Sequence, residues 1–308
     1  MSLPATDPGE HTGSMPGTTP STFVDLIDLT PRAVAEGAPA SFEGPPSPER
    51  GGRVYGGQFL AQAVVAAYRT LTSERRIHSL HAYFLRQGDV DESTSWQVDG
   101  RRDGRSFATR TVVGSQQGRE VFWLMASFHT PEEGLDYLPG PEFDLDAVPS
   151  ADDVSLTYVD YSRSNPDHDP ESWFGQDRPM DIRYVNPPTE PEGTPVLEPQ
   201  LTWSRVDGPV PDDPVVWDAG LAYLADATLV DHVTLPHGHR WHDARLTGAS
   251  LDHAMWFHRS ARPDEWLLLD QRVEATSGAR GLATGRFYTA SGQLVATCGQ
   301  EGLMRWRR

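Results

Sequence analysis

The feature that most constrains this chain is an internal repeat. Arg105-Ser-Phe-Ala-Thr109 returns 175 residues later as Arg280-Gly-Leu-Ala-Thr284. Each copy runs into an alternating apolar stretch, a turn at Gly118 or Gly292, and another strand-like run, Glu120–Phe128 or Gln293–Gln300. Upstream, Ser79-Leu-His-Ala-Tyr-Phe-Leu-Arg86 is echoed by Ser250-Leu-Asp-His-Ala-Met-Trp-Phe-His-Arg259, with two extra residues in the second copy. A helix candidate precedes each, Gly57–Thr70 or Val215–Val230. Four features in one order point to a duplicated unit, each reading as a helix and then three or more strands.

The first helix candidate, Gly57-Gln-Phe-Leu-Ala-Gln-Ala-Val-Val-Ala-Ala-Tyr68, is apolar on nearly all sides. A surface helix shows a single apolar stripe, so this one is expected to be wrapped by sheet. Gly56 and Gly57 before it allow a backbone or ligand to approach the helix start closely. Trp96–Val98, Thr109–Val113 and Val121–Phe128 supply β-branched and aromatic residues for that sheet. The expected fold is α+β, an antiparallel sheet rolled around a buried helix, twice. The boundaries read as a disordered tail over 1–22, a first repeat over 23–130, a linker over 131–178 and a second repeat over 179–308. That linker carries thirteen acidic residues against two arginines and is broken by prolines, so partial order is expected there.

Charge narrows the function classes. All 26 basic residues among the 308 are arginine, which removes chemistries that need a lysine, such as a Walker A loop or a pyridoxal Schiff base. A formal charge of −18 speaks against a general nucleic-acid binder. An anionic substrate would need a local arginine patch. Three sets are offered: Arg75 and Arg76; Arg101, Arg102 and Arg105; and Arg305, Arg307 and Arg308. No apolar run is long enough to span a membrane and the N-terminus does not read as a secretory leader. The single Cys298 forms no internal disulfide and no cysteine zinc site, so a cytoplasmic location is expected.

Several separated motifs resemble the acyl-CoA thioesterase II family: Arg53-Val-Tyr-Gly-Gly-Gln-Phe-Leu-Ala-Gln-Ala63, His78-Ser-Leu-His-Ala-Tyr-Phe-Leu-Arg-Gln-Gly-Asp89, Arg102-Asp-Gly-Arg-Ser-Phe107, Leu251-Asp-His-Ala-Met-Trp-Phe-His258 and Gln300-Glu-Gly-Leu-Met-Arg305. The resemblance covers about Arg53 to Arg305 and implies a double hotdog fold that hydrolyses acyl-CoA to a fatty acid and coenzyme A. It further implies that an Asp, a hydroxyl and a Gln hold the attacking water. These land on Asp226, inside the second helix candidate, on Ser250 at a strand start, and on Gln300. No cofactor and no metal are implied; the partner is the acyl-CoA substrate, with further copies of the chain in a dimer or tetramer. The tail and the acidic linker depart from the family pattern, and no role is carried into them.

The chemistry is coherent with those residues. A thiol leaves with a pKa of about 8.5, so its expulsion needs little acid help, and a carboxylate acting on a held water is sufficient. Burial of Asp226 among apolar neighbours would raise its pKa, whereas hydrogen bonds from Ser250 and Gln300 would lower it. Taken singly, each of the three is an ordinary structural residue. A Ser250, Asp252 and His253 triad is disfavoured, since neighbours on a strand point to opposite faces and no nucleophile elbow is present. His232, His237, His239 and His242 are expected in a loop without a metal-site spacing, and Cys298 as a buried small hydrophobe. Two alternatives stand beside hydrolysis: a double-hotdog acyl-CoA hydratase or dehydratase, and a non-catalytic acyl-CoA binder.

Overall fold

The structure is a computed structural model that describes residues 22–49, 52–72, 74–164, 176, 178–241, 243 and 245–306. The expected tail, apart from Thr22, lies outside them. The first half contains α1 (Phe23–Leu26), β1 (Thr30–Arg32), β2 (Ala40–Gly44), α2 (Gly56–Tyr68), β3 (Arg76–Phe84), β4 (Thr94–Asp103), β5 (Phe107–Gln116) and β6 (Arg119–His129). A short helix, α3 (Tyr158–Arg163), follows in the central acidic segment. The second half contains β7 (Met180–Tyr184), β8 (Gln200–Val206), α4 (Pro214–Ala225), β9 (Leu246–Ser250), β10 (Asp252–Phe257), β11 (Leu267–Ser277), β12 (Arg280–Thr289) and β13 (Leu294–Trp306).

The strands form one antiparallel sheet in the order β1-β2-β4-β5-β6-β3-β10-β13-β12-β11-β8-β7, with β9 also on β13. The order mirrors itself about the β3–β10 pair, where Leu80 lies opposite Met255. Each half is therefore two strands, a helix and four further strands, the α+β double hotdog. β9 and β10 are one strand interrupted at Leu251, since both pair with β13. The glycine turns hold: Gly118 and Gly292 have φ of 74° and 83°, a region costly for other residues.

Two sequence expectations need correction. Two strands precede each helix; those of the first half, β1 and β2, are only three and five residues long and carry no clear alternation. α4 ends at Ala225 instead of continuing to Val230, and a 3-10 segment, Leu229–His237, follows. Asp226 and Thr228 compete with the backbone for hydrogen bonds and favour helix ends, while the apolar spacing beyond them suits a three-residue turn as well as an α-turn.

Gly57 to Tyr68 of α2 are all buried, as wrapping by sheet requires. Its two glutamines are satisfied internally: the Gln62 amide donates to Leu26 O (2.7 Å) and accepts from Trp96 Nε1 (3.0 Å). α2 and α4 lie antiparallel, tied by Tyr55 Oη to Tyr223 O and Tyr68 Oη to Asp218 Oδ2, both 2.5 Å. Gly57 permits this approach, because a Cβ there would stand 2.4 Å from Tyr223 O. On β11, Leu267 and Leu269 face the main core, and Leu268 between them faces the other side. The acidic segment covers that other side, packing Phe143, Leu145, Val148 and Val154 around Trp203, Leu268 and Tyr288.

Candidate active site

The antiparallel helices bring the C-terminus of α4 beside the N-terminus of α2. Asp226 is the C-cap of α4 (φ −87°, ψ −5°), not a helix-interior residue. Tyr55, the N-cap of α2, makes no side-chain cap, so the first amides of that helix are left for other acceptors. Asp226 is 7% exposed, and the Gln300 amide nitrogen donates to its Oδ1. The Gly57 amide, the Arg53 guanidinium and the Ser250 hydroxyl also favour its ionised form. Burial outweighs all of these and pushes the carboxyl up to about 7. The competition left open by the sequence is thus won by desolvation.

Asp226 and Ser250 line a cleft of about 420 Å³ with Tyr55, Phe59, Phe84 and Trp241, a size suited to a small-molecule site. Ser250 is the last residue of β9, not the start of a strand. Gln300, on β13, is fully buried behind Asp226. All three expected residues are therefore brought to one place, two on the cleft wall and one bracing the carboxyl.

Gly56, expected from the sequence to allow close approach at the helix start, is approached there by the Asp226 carboxyl. A Cβ at this position would come 2.6 Å from Asp226 Oδ2 and 2.7 Å from Phe84 Cε1. Gly56→Ala is expected to displace the carboxyl and lower kcat by roughly 10²-fold, a loss typical of small misplacements at a reacting centre. Steady-state assays beside a melting curve would check this, with a smaller loss showing that the carboxyl has room to shift.

The other sequence candidates separate from the cleft. Asp252 and His253 diverge: Asp252 Oδ1 accepts from Glu301 N (2.8 Å), and His253 is buried beside Gln300, held down at about 4 by burial. Within the histidine run, His232 is buried and lowered to about 3 by desolvation, His237 bonds Thr276, and His242 lies outside the described residues. Glu192, His239 and Asp243 do converge, yet Arg245 already bonds both carboxylates at 2.8 and 2.6 Å. Burial raises the Cys298 thiol to about 12.

The arginine sets are mostly structural. Arg75 donates to Gly104 O, Arg76 pairs with Asp218, and Arg101 pairs with Asp99. Arg307 and Arg308 lie outside the described residues. The arginines lining the cleft are Arg53 and Arg86, neither of which stands in those sets. Both lie in the motifs Arg53–Ala63 and His78–Asp89, but a motif does not show which of its residues face a site, whereas arginine clusters attract attention without facing one.

Comparison with known proteins finds relatives over most of the chain. The sequence profile of the acyl-CoA thioesterase family matches residues 171–303, and that of the acyl-CoA thioesterase N-terminal domain matches 45–129. Acyl-coenzyme A thioesterase 8 of Mus musculus is 33% identical over 266 residues, covering 82% of this chain and 80% of that protein. Acyl-CoA thioesterase 2 of Haemophilus influenzae is 32% identical over 262 residues, covering 82% and 88%. The crystal structure of an acyl-CoA thioesterase II from Mycobacterium marinum matches with a TM-score of 0.70 and 33% identity, covering 92% of this chain and 97% of that one.

Proposed function

Because the chain belongs to the acyl-CoA thioesterase family, we propose that its cleft works with Asp226 as general base, supported by Ser250 and Gln300. The protein is an acyl-CoA hydrolase, turning acyl-CoA and water into a free acid and coenzyme A. One observation carries the residue assignment: a buried carboxyl, braced by Gln300, stands at the cleft wall against the uncapped start of α2.

In this reading Ser250 orients a water beside Asp226. The water oxygen bonds to the thioester carbon as Asp226 accepts its proton. The carbonyl oxygen gains charge that the α2 N-terminus is placed to stabilise. The C–S bond then breaks, and the thiolate leaves and takes up a proton. Arg53 and Arg86 supply local positive charge at the cleft of a chain whose formal charge is −18. Among the described residues no histidine lines the cleft, which favours hydrolysis over the imidazole acid–base chemistry of a dehydratase. Free thiol release from short-, medium- and long-chain acyl-CoA esters by wild type and Asp226→Asn tests the assignment. Undiminished turnover in the variant removes Asp226 from the role.

Self-association belongs to the same reading. On the sheet face turned away from the helices, Tyr83, Met125 and Trp256 are exposed by 54%, 39% and 41%, on the adjoining strands β3, β6 and β10. An apolar patch of this kind on a sheet favours burial against another copy. Light scattering is expected to give a multiple of 34.0 kDa, falling toward a single chain in Trp256→Arg; a monomeric wild type removes this part of the reading. No helix among the described residues is long and apolar enough to cross a membrane. The buried free thiol of Cys298 fits a reducing compartment, and we assign the protein to the cytoplasm.

A further inference from the structure

Asp231 lies five residues beyond Asp226 and lines the same cleft. It also lines a second, small cavity shared with Tyr161, Tyr184 and Arg240. The Tyr158 hydroxyl donates to Asp231 Oδ2 at 2.7 Å. Tyr158 belongs to α3 of the central acidic segment, is 6% exposed, and stacks on Tyr184. A segment to which the sequence gave no role therefore holds a carboxyl of the active cleft.

The charges around Asp231 can be counted from the groups that face it. Burial holds the Tyr158, Tyr161 and Tyr184 hydroxyls above their ordinary range, so all three are neutral. His232 is neutral for the same reason. Arg240 donates to Pro188 O and Glu190 O, and Arg178 pairs with Glu49 at 2.7 Å. Asp226, Arg178 and Arg53 remain as the charges acting on Asp231, and of the two arginines Arg53 acts on Asp226 as well. Two carboxyls in the cleft therefore share one guanidinium.

We propose that Asp231, anchored by Tyr158, is a positioning residue for the hydrolysis: it competes with Asp226 for Arg53 and so sets the charge state in which Asp226 meets the water. The proposal rests on Asp226 as the base. Burial raises both carboxyls to about 7, and the Asp226 charge adds to the rise at Asp231. Such a pair titrates as a unit, and the first proton lost makes the second harder to lose.

The test is the pH profile of kcat for wild type, Asp231→Asn, Asp231→Glu and Tyr158→Phe. Without the Asp231 charge, Asp226 ionises earlier, so the Asp231→Asn midpoint is expected about one unit lower, with a plateau within a few-fold of wild type. Tyr158→Phe makes Asp231 a weaker acid and is expected to move the midpoint the same way by less. Asp231→Glu is expected to restore the wild-type midpoint. A purely structural role lowers the plateau and the melting temperature and leaves the midpoint in place; that result in an active Asp231→Asn overturns the proposal. Should Asp231→Asn fail to fold, Tyr158→Phe decides alone, a shift supporting the proposal and an unmoved midpoint overturning it. Turnover in Asp226→Asn is a separate failure, removing the base on which the proposal rests.

Discussion

Asp226→Asn is expected to cut thiol release by about 10²-fold or more at pH 8 while raising the melting temperature. The loss follows because the amide keeps the shape of the carboxyl and has no basic oxygen pair to take a proton from water. The gain follows from linkage. The carboxyl titrates at about 7 when folded against an ordinary value of 3.8. The folded state holds the proton more tightly, so this group favours folding most below 3.8, and that contribution is lost as pH rises through 7. At pH 8 the buried charge costs on the order of 2–4 kcal/mol, a cost the amide does not carry. At pH 4 both residues are nearly neutral and the melting temperatures should converge. Thermal melts at the two pH values, beside the thiol assay, separate a reactive carboxyl from a folding one. Equal melting temperatures at pH 8 would mean that the carboxyl is better solvated than its surroundings indicate.

The second large effect is expected at the other end of the same helix pair. By the repeat symmetry, the end of α2 and the start of α4 form the counterpart of the active cleft. Asp218 fills it, 2% exposed, accepting from Tyr68 Oη (2.5 Å) and from Arg76 at 2.8 to 3.2 Å. Arg76→Met leaves a buried carboxyl without its cation. Removing one partner of a buried pair costs about 3–5 kcal/mol, and the partial exposure of Arg76 reduces this to roughly 2–4. A fall in melting temperature of about 5–10 °C is expected, with kcat/KM within twofold of wild type. Adding Asp218→Asn should recover part of the loss, because the orphaned charge is then removed as well. A large fall in kcat/KM would instead mean that this end of the helix pair reports to the active cleft.

Much of the fold was readable because a duplication repeats every local signal. The strands following Arg105 and Arg280, the Gly118 and Gly292 turns and the two helix candidates each had a counterpart, and β5 and β12 hold mirror-related places in the sheet. α4 was misjudged beyond Ala225, because Leu229 and Val230 are as apolar in a 3-10 turn as in an α-turn. The acidic segment was read as a linker on its prolines and charge, which report local stiffness and say nothing of Phe143 or Val154 finding Trp203.

The candidate site divides the same way. Asp226, Ser250 and Gln300 were found through motifs, since each lies in a run of residues that resembles a family. Gly56 and Arg53 lie in such a run without its showing that they meet Asp226, and Asp231 and Tyr158 gave no signal, since each matters through a partner far away in sequence. Sequence alone determined the repeat, the buried helices and the residue types available for water attack, because periodicity and composition act over a few residues. Tertiary structure alone decided that one helix end meets another, that burial outweighs hydrogen bonding at Asp226, and that a second carboxyl shares its arginine. Desolvation and Coulomb interactions depend on distance through space, and only the folded chain sets those distances.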